Sequence, residues 1–170
     1  MSINDKKNRL DQSILVSPNQ TYKIPIMLYS KSAEYAIQAM IYLAEIRSEK
    51  PVMTSIIAKE YDIPYQFLAK IVQVLVKQRL IKATRGRTGG INLYRNAKDI
   101  YLHQIVDAID GPPPDQDQCA IGLDLCSDDT PCPLHHNWKP IRNAIRKMLE
   151  SENLKELANR VTEKRKLMTE

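Results

Sequence analysis

Phenylalanine and tryptophan occur once each in this sequence, so a core has to be built from Ile, Leu, Val, Ala and Tyr. Apolar runs are short, far below the roughly 20 residues of a membrane-spanning helix, and no membrane association is expected. Residues 1–26 lack the continuous apolar stretch that marks a secretory signal. Cysteine is scarce and odd in number, three in all, which argues against a secreted disulfide framework and for a cytoplasmic thiol or metal role. No Cys-x-x-Cys pair opens a helix and no glycine-rich phosphate loop is present. Only three histidines exist, and none pairs with a nucleophile at a recognisable spacing. These absences weigh against an enzyme. At 170 residues the chain suffices for one domain with an appended element, its core buried without disulfide staples.

What charge there is lies unevenly. The formal net charge is +5. From Pro64 to Lys98 there are eight Lys or Arg and no acidic residue, whereas from Asp99 to Cys132 there are eight Asp and no Lys or Arg. An even solvated coat mixes signs. The basic stretch reads as a phosphate-facing surface, and the acidic stretch should stay away from DNA.

Residues 1–26, polar and interrupted by Pro18 and Pro25, read as a mobile extension, or as an overcalled start with Met27 the true first residue. Ser30 to Glu49 is expected to be a buried helix, apolar nearly all round through Tyr35, Ile37, Ala39, Met40, Ile41, Leu43, Ala44 and Ile46. A short helix over Met53–Tyr61 and a turn at Asp62-Ile63 follow. Pro64 fits the first position of a third helix running to Gln78. Leu68, Ile71, Val72 and Leu75 give that helix a core face, and Gln66, Lys70, Gln73 and Lys77 a polar one. Two short strands, Leu80–Thr84 and Ile91–Tyr94, flank the glycine-rich segment Arg85–Gly90 and read as a hairpin. Asp99–Ile109 resumes helical periodicity until Gly111 and three prolines stop it. Residues 111–133 form an acidic loop with all three cysteines. Leu134, Trp138, Ile141, Ile145 and Met148 then make a narrow apolar seam like a coiled-coil stripe, with Pro140 a point where the helix begins or bends. Leu154–Arg165 adds a last helix. The expected fold is mainly α with a small β-hairpin: a winged helix-turn-helix over 27–98, a helix and cysteine loop over 99–133, and a long C-terminal dimerisation helix with its tail over 134–170.

The major groove of B-DNA admits one α-helix, whose N-terminal residues meet base edges. Here those are Tyr65, Gln66 and, a turn later, Lys70; Gln73 and Lys77 extend the same face. Gln66 can pair with adenine through its amide. The hairpin would lie along a flanking minor groove, with Arg85 or Arg87 entering it, Thr88 beside them, and the glycines letting its tip approach the DNA backbone. The competing reading is a packing helix with a solvated polar face, in an interaction module of the same shape.

Cys119, Cys126 and Cys132 are separated by six and five residues, unlike the short knuckles of structural zinc. Thiolates in a loop suit an iron–sulfur cluster, of [2Fe–2S] or [4Fe–4S] type. The fourth position falls to His135, His136, a carboxylate or another subunit. Zinc, a redox disulfide and inert thiols are the alternatives. A cluster-free repressor using thiols or zinc would follow from them, and an adaptor that binds no DNA from the interaction-module reading of the same fold.

The order of these pieces resembles the Rrf family of bacterial winged-helix transcription regulators over residues 27–150. The likeness is carried by the run Leu28 to Ala36, by Arg85-Gly86-Arg87-Thr88-Gly89-Gly90, by the three cysteines, and by Cys132-Pro133-Leu134-His135 leading to Trp138. It implies an obligate homodimer whose long C-terminal helix crosses to the partner, a pseudo-palindromic double-stranded DNA operator, and a cluster held by Cys119, Cys126 and Cys132. In IscR-like members the fourth ligand is a His three residues after the last Cys, which matches His135. In NsrR-like members it is a carboxylate early in the first helix of the other subunit, which matches Glu34. Glu34 from the partner is the expected ligand and His135 its rival. Glu34 also reads as a helix-dipole acid, and His135 as a capping imidazole. Three features depart from the pattern: a first cysteine spacing one residue longer than in IscR-like members, Arg87-Thr88 where many members carry Pro-Gly, and residues 1–26, which have no counterpart. The seam is expected at a subunit interface, or else covered within the chain by Leu154 and Leu157.

Overall fold

The computed structural model describes residues 28–46, 50–86, 89–112, 119, 121–123 and 126–169. Within them the order is α1 (Lys31–Ile46), α2 (Thr54–Glu60), α3 (Tyr65–Lys77), β1 (Ile81–Thr84), β2 (Gly90–Leu93), a 3-10 turn (Ala97–Asp99), α4 (Leu102–Asp110), α5 (His135–Ser151) and α6 (Leu154–Leu167). None of these helices is long and apolar enough to cross a membrane.

Helix α1 is the centre. Ala33, Ala36, Ile37, Ala39, Met40, Ile41, Leu43 and Ala44 are buried along it, over more than half of its circumference. The sequence suggests a helix apolar nearly all round, but Glu34, Gln38 and Glu45 fall on a remaining polar stripe. Helices α4 and α6 pack against it most extensively, then α3 and β2. Ser30 starts the helix, its hydroxyl accepting from the Ala33 amide at 3.1 Å. Ser30 is itself tied to Asp110, at the end of α4, through its amide at 2.8 Å and through its hydroxyl.

The helix-turn-helix reverses at Asp62, whose φ of 51° is a left-handed conformation that a short polar side chain tolerates. Ile63 then plugs into the core at 4 % exposure. Pro64 caps α3 rather than forming its first residue: its ψ of 123° is extended, and its carbonyl accepts from Phe67 and Leu68. Leu68, Ile71 and Leu75 face inward as their spacing requires.

The hairpin pairs Ile81 with Leu93 and Thr84 with Gly90. Val52 adds an antiparallel bridge to Ile91 on the far side of β2. This explains the glycines differently from the sequence reading. A Cβ on Gly90 would lie 2.4 Å from the Val52 carbonyl oxygen, and one on Gly89 2.3 Å from that of Thr84. Both are needed inside the protein, whatever the tip touches.

The helix expected over Asp99–Ile109 is divided. Asn96 caps the 3-10 turn through Lys98 N–H at 3.1 Å, and Ile100 and Tyr101 are extended. Their partners lie between α5 and α6. Leu154 donates to the Ile100 carbonyl and Leu102 to that of Glu152, each at 2.8 Å. Helical periodicity carries no sign of such a distant pairing.

Helix α5 begins at His135 and runs through Pro140. Leu134 lies just outside it as the cap residue. Leu134, Trp138, Ile141 and Met148 are exposed at 45, 38, 52 and 40 %, and Ile145 is half-buried. Leu154 and Leu157 do not cover them; they pack into the core around α1. The C-terminal helix is tied down by Arg165, which donates to Glu45 at 2.8 Å and to the Tyr61 hydroxyl at 2.7 Å.

Leu154 is 1 % exposed at the first residue of α6. Leu154→Ala should therefore cost about 2–5 kcal/mol through the lost apolar burial and the cavity left behind. Thermal denaturation should show a drop of roughly 2–4 °C per kcal/mol, whereas a C-terminal helix packed loosely on the rest would leave the midpoint unchanged.

Candidate metal centre and nucleic-acid interface

The cysteine loop returns onto the first turn of α5. The Sγ atoms of Cys119, Cys126 and Cys132 all lie within 4.8 Å of one another. Cys119 and Cys126 are 7 and 5 % exposed, and Cys132 is half-buried. The Cys132 carbonyl accepts from the His135 amide at 3.0 Å, which couples the last cysteine to the start of the helix.

His135 is buried at 6 % exposure. Its Nδ1 is 3.0 Å from Cys126 Sγ and its Nε2 2.9 Å from Asp128 Oδ1. Lys139 Nζ donates to both oxygens of Asp128 at 2.5 Å. The chain of contacts thus runs from an ammonium through a carboxylate and an imidazole to a thiol.

Its electrostatics follow from that order. Lys139 first, then His135, lowers the Asp128 carboxyl to about 2. Asp128 first, then Cys126, raises the His135 imidazole. The Cys132 amide first, then His135, lowers the Cys126 thiol to about 7. Burial pushes Cys132 the other way, assisted by the neighbouring Cys119 and Cys126. One thiolate is therefore available near neutral pH beside two more sulfurs. Because thiolate is the form that binds metal, these residues fit a thiolate-bound metal or iron–sulfur cluster.

Glu34 is not among the converging ligand atoms of the described residues. Its carboxylate takes a hydrogen bond from Lys31 Nζ at 2.6 Å, one turn earlier in α1. His136 stacks edge-on against the His135 ring, with centroids 5.4 Å apart, and adds no ligand to the group.

On α3, Tyr65, Gln66, Lys70, Gln73 and Lys77 are all exposed, and so is Arg85 at the end of β1. Arg87 and Thr88 lie outside the described residues. Sequence reasoning overlooked Phe67, which is 59 % exposed among these polar groups. Its position beside Leu68, but off the Leu68–Ile71–Leu75 stripe, was the available signal. It also overlooked Asp128 and Lys139, for which spacing offers none.

A family model described as "Rrf2: Iron-dependent Transcriptional regulator" matches residues 29–160. The chain belongs to the Rrf2 family. A protein of Mycobacterium tuberculosis named as an HTH-type transcriptional regulator is 35 % identical over 132 residues, covering 78 % of this chain and 81 % of the relative. Among solved structures, CymR, the global cysteine regulator of B. subtilis, matches with a TM-score of 0.64 and 27 % identity over 76 % of this chain and 95 % of its own. The IscR of T. potens matches with a TM-score of 0.60 and 27 % identity, over 76 % and 85 %. As an Rrf2-family protein the chain is a winged-helix transcriptional regulator, and DNA binding is the family's mode of action. It is not assigned to an enzyme class by any of these likenesses. The part of the chain that resembles the family ends inside α6, and the cysteine loop falls wholly within it.

The coupling between His135 and Cys126 has a titration signature. In the metal-free protein, ultraviolet thiolate absorbance should show one cysteine titrating near pH 7. His135→Ala removes a group that favours the thiolate, so the midpoint should move up toward the ordinary thiol range of about 8.5. An unchanged midpoint counts against the pairing.

Proposed function

We propose that this Rrf2-family protein is a cytoplasmic homodimer that binds a pseudo-palindromic operator and senses redox state, nitric oxide or iron–sulfur supply through a cluster. The observation that carries the reading is the convergence of three sulfurs within 4.8 Å beside a buried imidazole. Cys119, Cys126 and Cys132 would hold the cluster, which supplies a redox-active, ligand-accessible iron centre when bound. His135 is the better-supported fourth ligand, since its Nδ1 already stands 3.0 Å from Cys126 Sγ within one chain. Glu34 of the partner subunit is the rival. The donor set of three thiols and one imidazole also matches that of structural zinc, which is the second reading. Anaerobic purification separates the two: a brown protein with visible charge-transfer absorbance carries a cluster, and a colourless one carries zinc or bare thiols.

On DNA, Tyr65, Gln66 and Lys70 would meet base edges from α3, with Gln73 and Lys77 extending that face, and Arg85 or Arg87 would enter a flanking minor groove with Thr88 beside them. Two copies of α3 should stand about 34 Å apart, or at a multiple of it, to enter successive major grooves. Operator affinity should fall steeply with salt. Arg85→Ala should weaken binding at every sequence, and Gln66→Ala should change preference at one base pair by about 1–3 kcal/mol. Salt-independent binding, or wild-type affinity in Arg85→Ala, removes the DNA-facing assignment.

The dimer rests on the α5 stripe of Leu134, Trp138, Ile141, Ile145 and Met148, most of it exposed in the single chain. A contiguous apolar stripe of this kind marks an interface. Ile141→Glu should yield monomers in sedimentation that no longer hold a two-fold operator. Dimers of unchanged affinity would place the interface elsewhere.

A further inference from the structure

We propose that Asp128, steadied by Lys139, is the positioning residue that turns His135 so that Nδ1 faces the cysteine sulfurs. This rests on the metal-centre reading of the same site.

An imidazole offers two nitrogens to a metal, and the hydrogen bond made by one decides which of them is left to coordinate. Here Nε2 is 2.9 Å from Asp128 Oδ1, and Nδ1 is the nitrogen on the sulfur side. Carboxylate–histidine pairs of this form orient metal-ligating histidines generally. Nε2–H stays donated to the carboxylate, so the lone pair left for a metal is that of Nδ1.

Asp128 is itself held from two directions. It sits on the loop between Cys126 and Cys132, inside a turn in which the Thr130 amide donates to Ser127 Oγ at 3.2 Å. Lys139 lies four residues after His135 on α5, hence on the same face of the helix. Its ammonium contacts both carboxylate oxygens at 2.5 Å. The carboxylate is therefore clamped between two side chains of α5 and strapped to the loop that supplies the sulfurs. As a surface ion pair alone the Asp128–Lys139 contact would be worth little, because Asp128 is 70 % exposed. What distinguishes it is that Oδ1 is shared with an imidazole 94 % removed from solvent, left by its 6 % exposure.

The test uses cobalt(II) as the metal probe on the full-length metal-free protein, read by its visible absorbance. Asp128→Ala should weaken cobalt binding roughly 10–100-fold. Asp128→Glu, which restores a carboxylate, should recover most of that loss, and Lys139→Ala should give a smaller one. His135→Ala should weaken binding as well, and Asp128→Ala added to it should cost nothing further, since the two act through one bond. Nitrogen-15 NMR of the histidine rings supplies a readout independent of metal. Above its titration, His135 should carry its proton on Nε2 in the wild type and on both nitrogens in exchange in Asp128→Ala. Wild-type cobalt affinity in Asp128→Ala, additive losses in the double variant, or an unchanged tautomer overturns the proposal. Absence of cobalt binding by the wild type would instead remove the metal centre, and this role with it.

Discussion

Helix α1 carries more apolar surface than any single neighbour can cover, and the rest of the structure is arranged around that fact. Eight of its residues are buried. Helix α3 and strand β2 cover it from the side of the helix-turn-helix and hairpin, α4 from the side of the cysteine loop, and α6 from the C-terminus. Burial of this kind is the main favourable term in folding. It also means that the helix-turn-helix and the root of the cysteine loop are packed against one rigid element. The hydrogen bonds from Ser30 to Asp110 join the start of that element to the residue immediately before the loop.

Helix α5 has the opposite character. Only Leu149 contributes from it to the packing around the core. Its first turn brings His135 to the sulfurs, and Lys139 reaches the loop from the same face. Its remaining apolar residues form the exposed stripe. On the proposed reading, the cysteine group at one end and the apolar stripe along the length of the same helix would give a sensor a direct mechanical route between loop and interface. Such coupling needs a two-state element that the signal biases, and the join between loop and helix is where the thiols, the imidazole and the carboxylate meet.

The division of charge along the chain has a structural counterpart. The stretch without carboxylates spans α3 and the hairpin, and on α3 the exposed Lys70 and Lys77 lie on one helical face with Gln66 and Gln73. The acidic stretch runs from the 3-10 turn through α4 into the cysteine loop. There one aspartate, Asp128, is drawn into the site by Lys139 from α5. Exposed Phe67 adds an apolar group to the surface of α3.

Periodicity, together with the turn, glycine and proline signals between the runs, located the helices, the helix-turn-helix and the hairpin to within a few residues, because the faces of Leu68–Ile71–Leu75 and of the α5 stripe repeat locally. The cysteine set was legible for the same reason: residue type and spacing are properties of the chain itself. The break at Ile100 and Tyr101 was not, since it depends on backbone hydrogen bonds to Glu152 and Leu154, some fifty residues away. Gly89 and Gly90 were noticed but given an external role, whereas the crowding by Thr84 and Val52 is internal. His135 was a candidate ligand from the residues themselves, and Glu34 from the family resemblance. Only the fold sets His135 behind Cys126 and Asp128 behind His135, because that order depends on where α5 starts relative to a loop whose path no local pattern encodes.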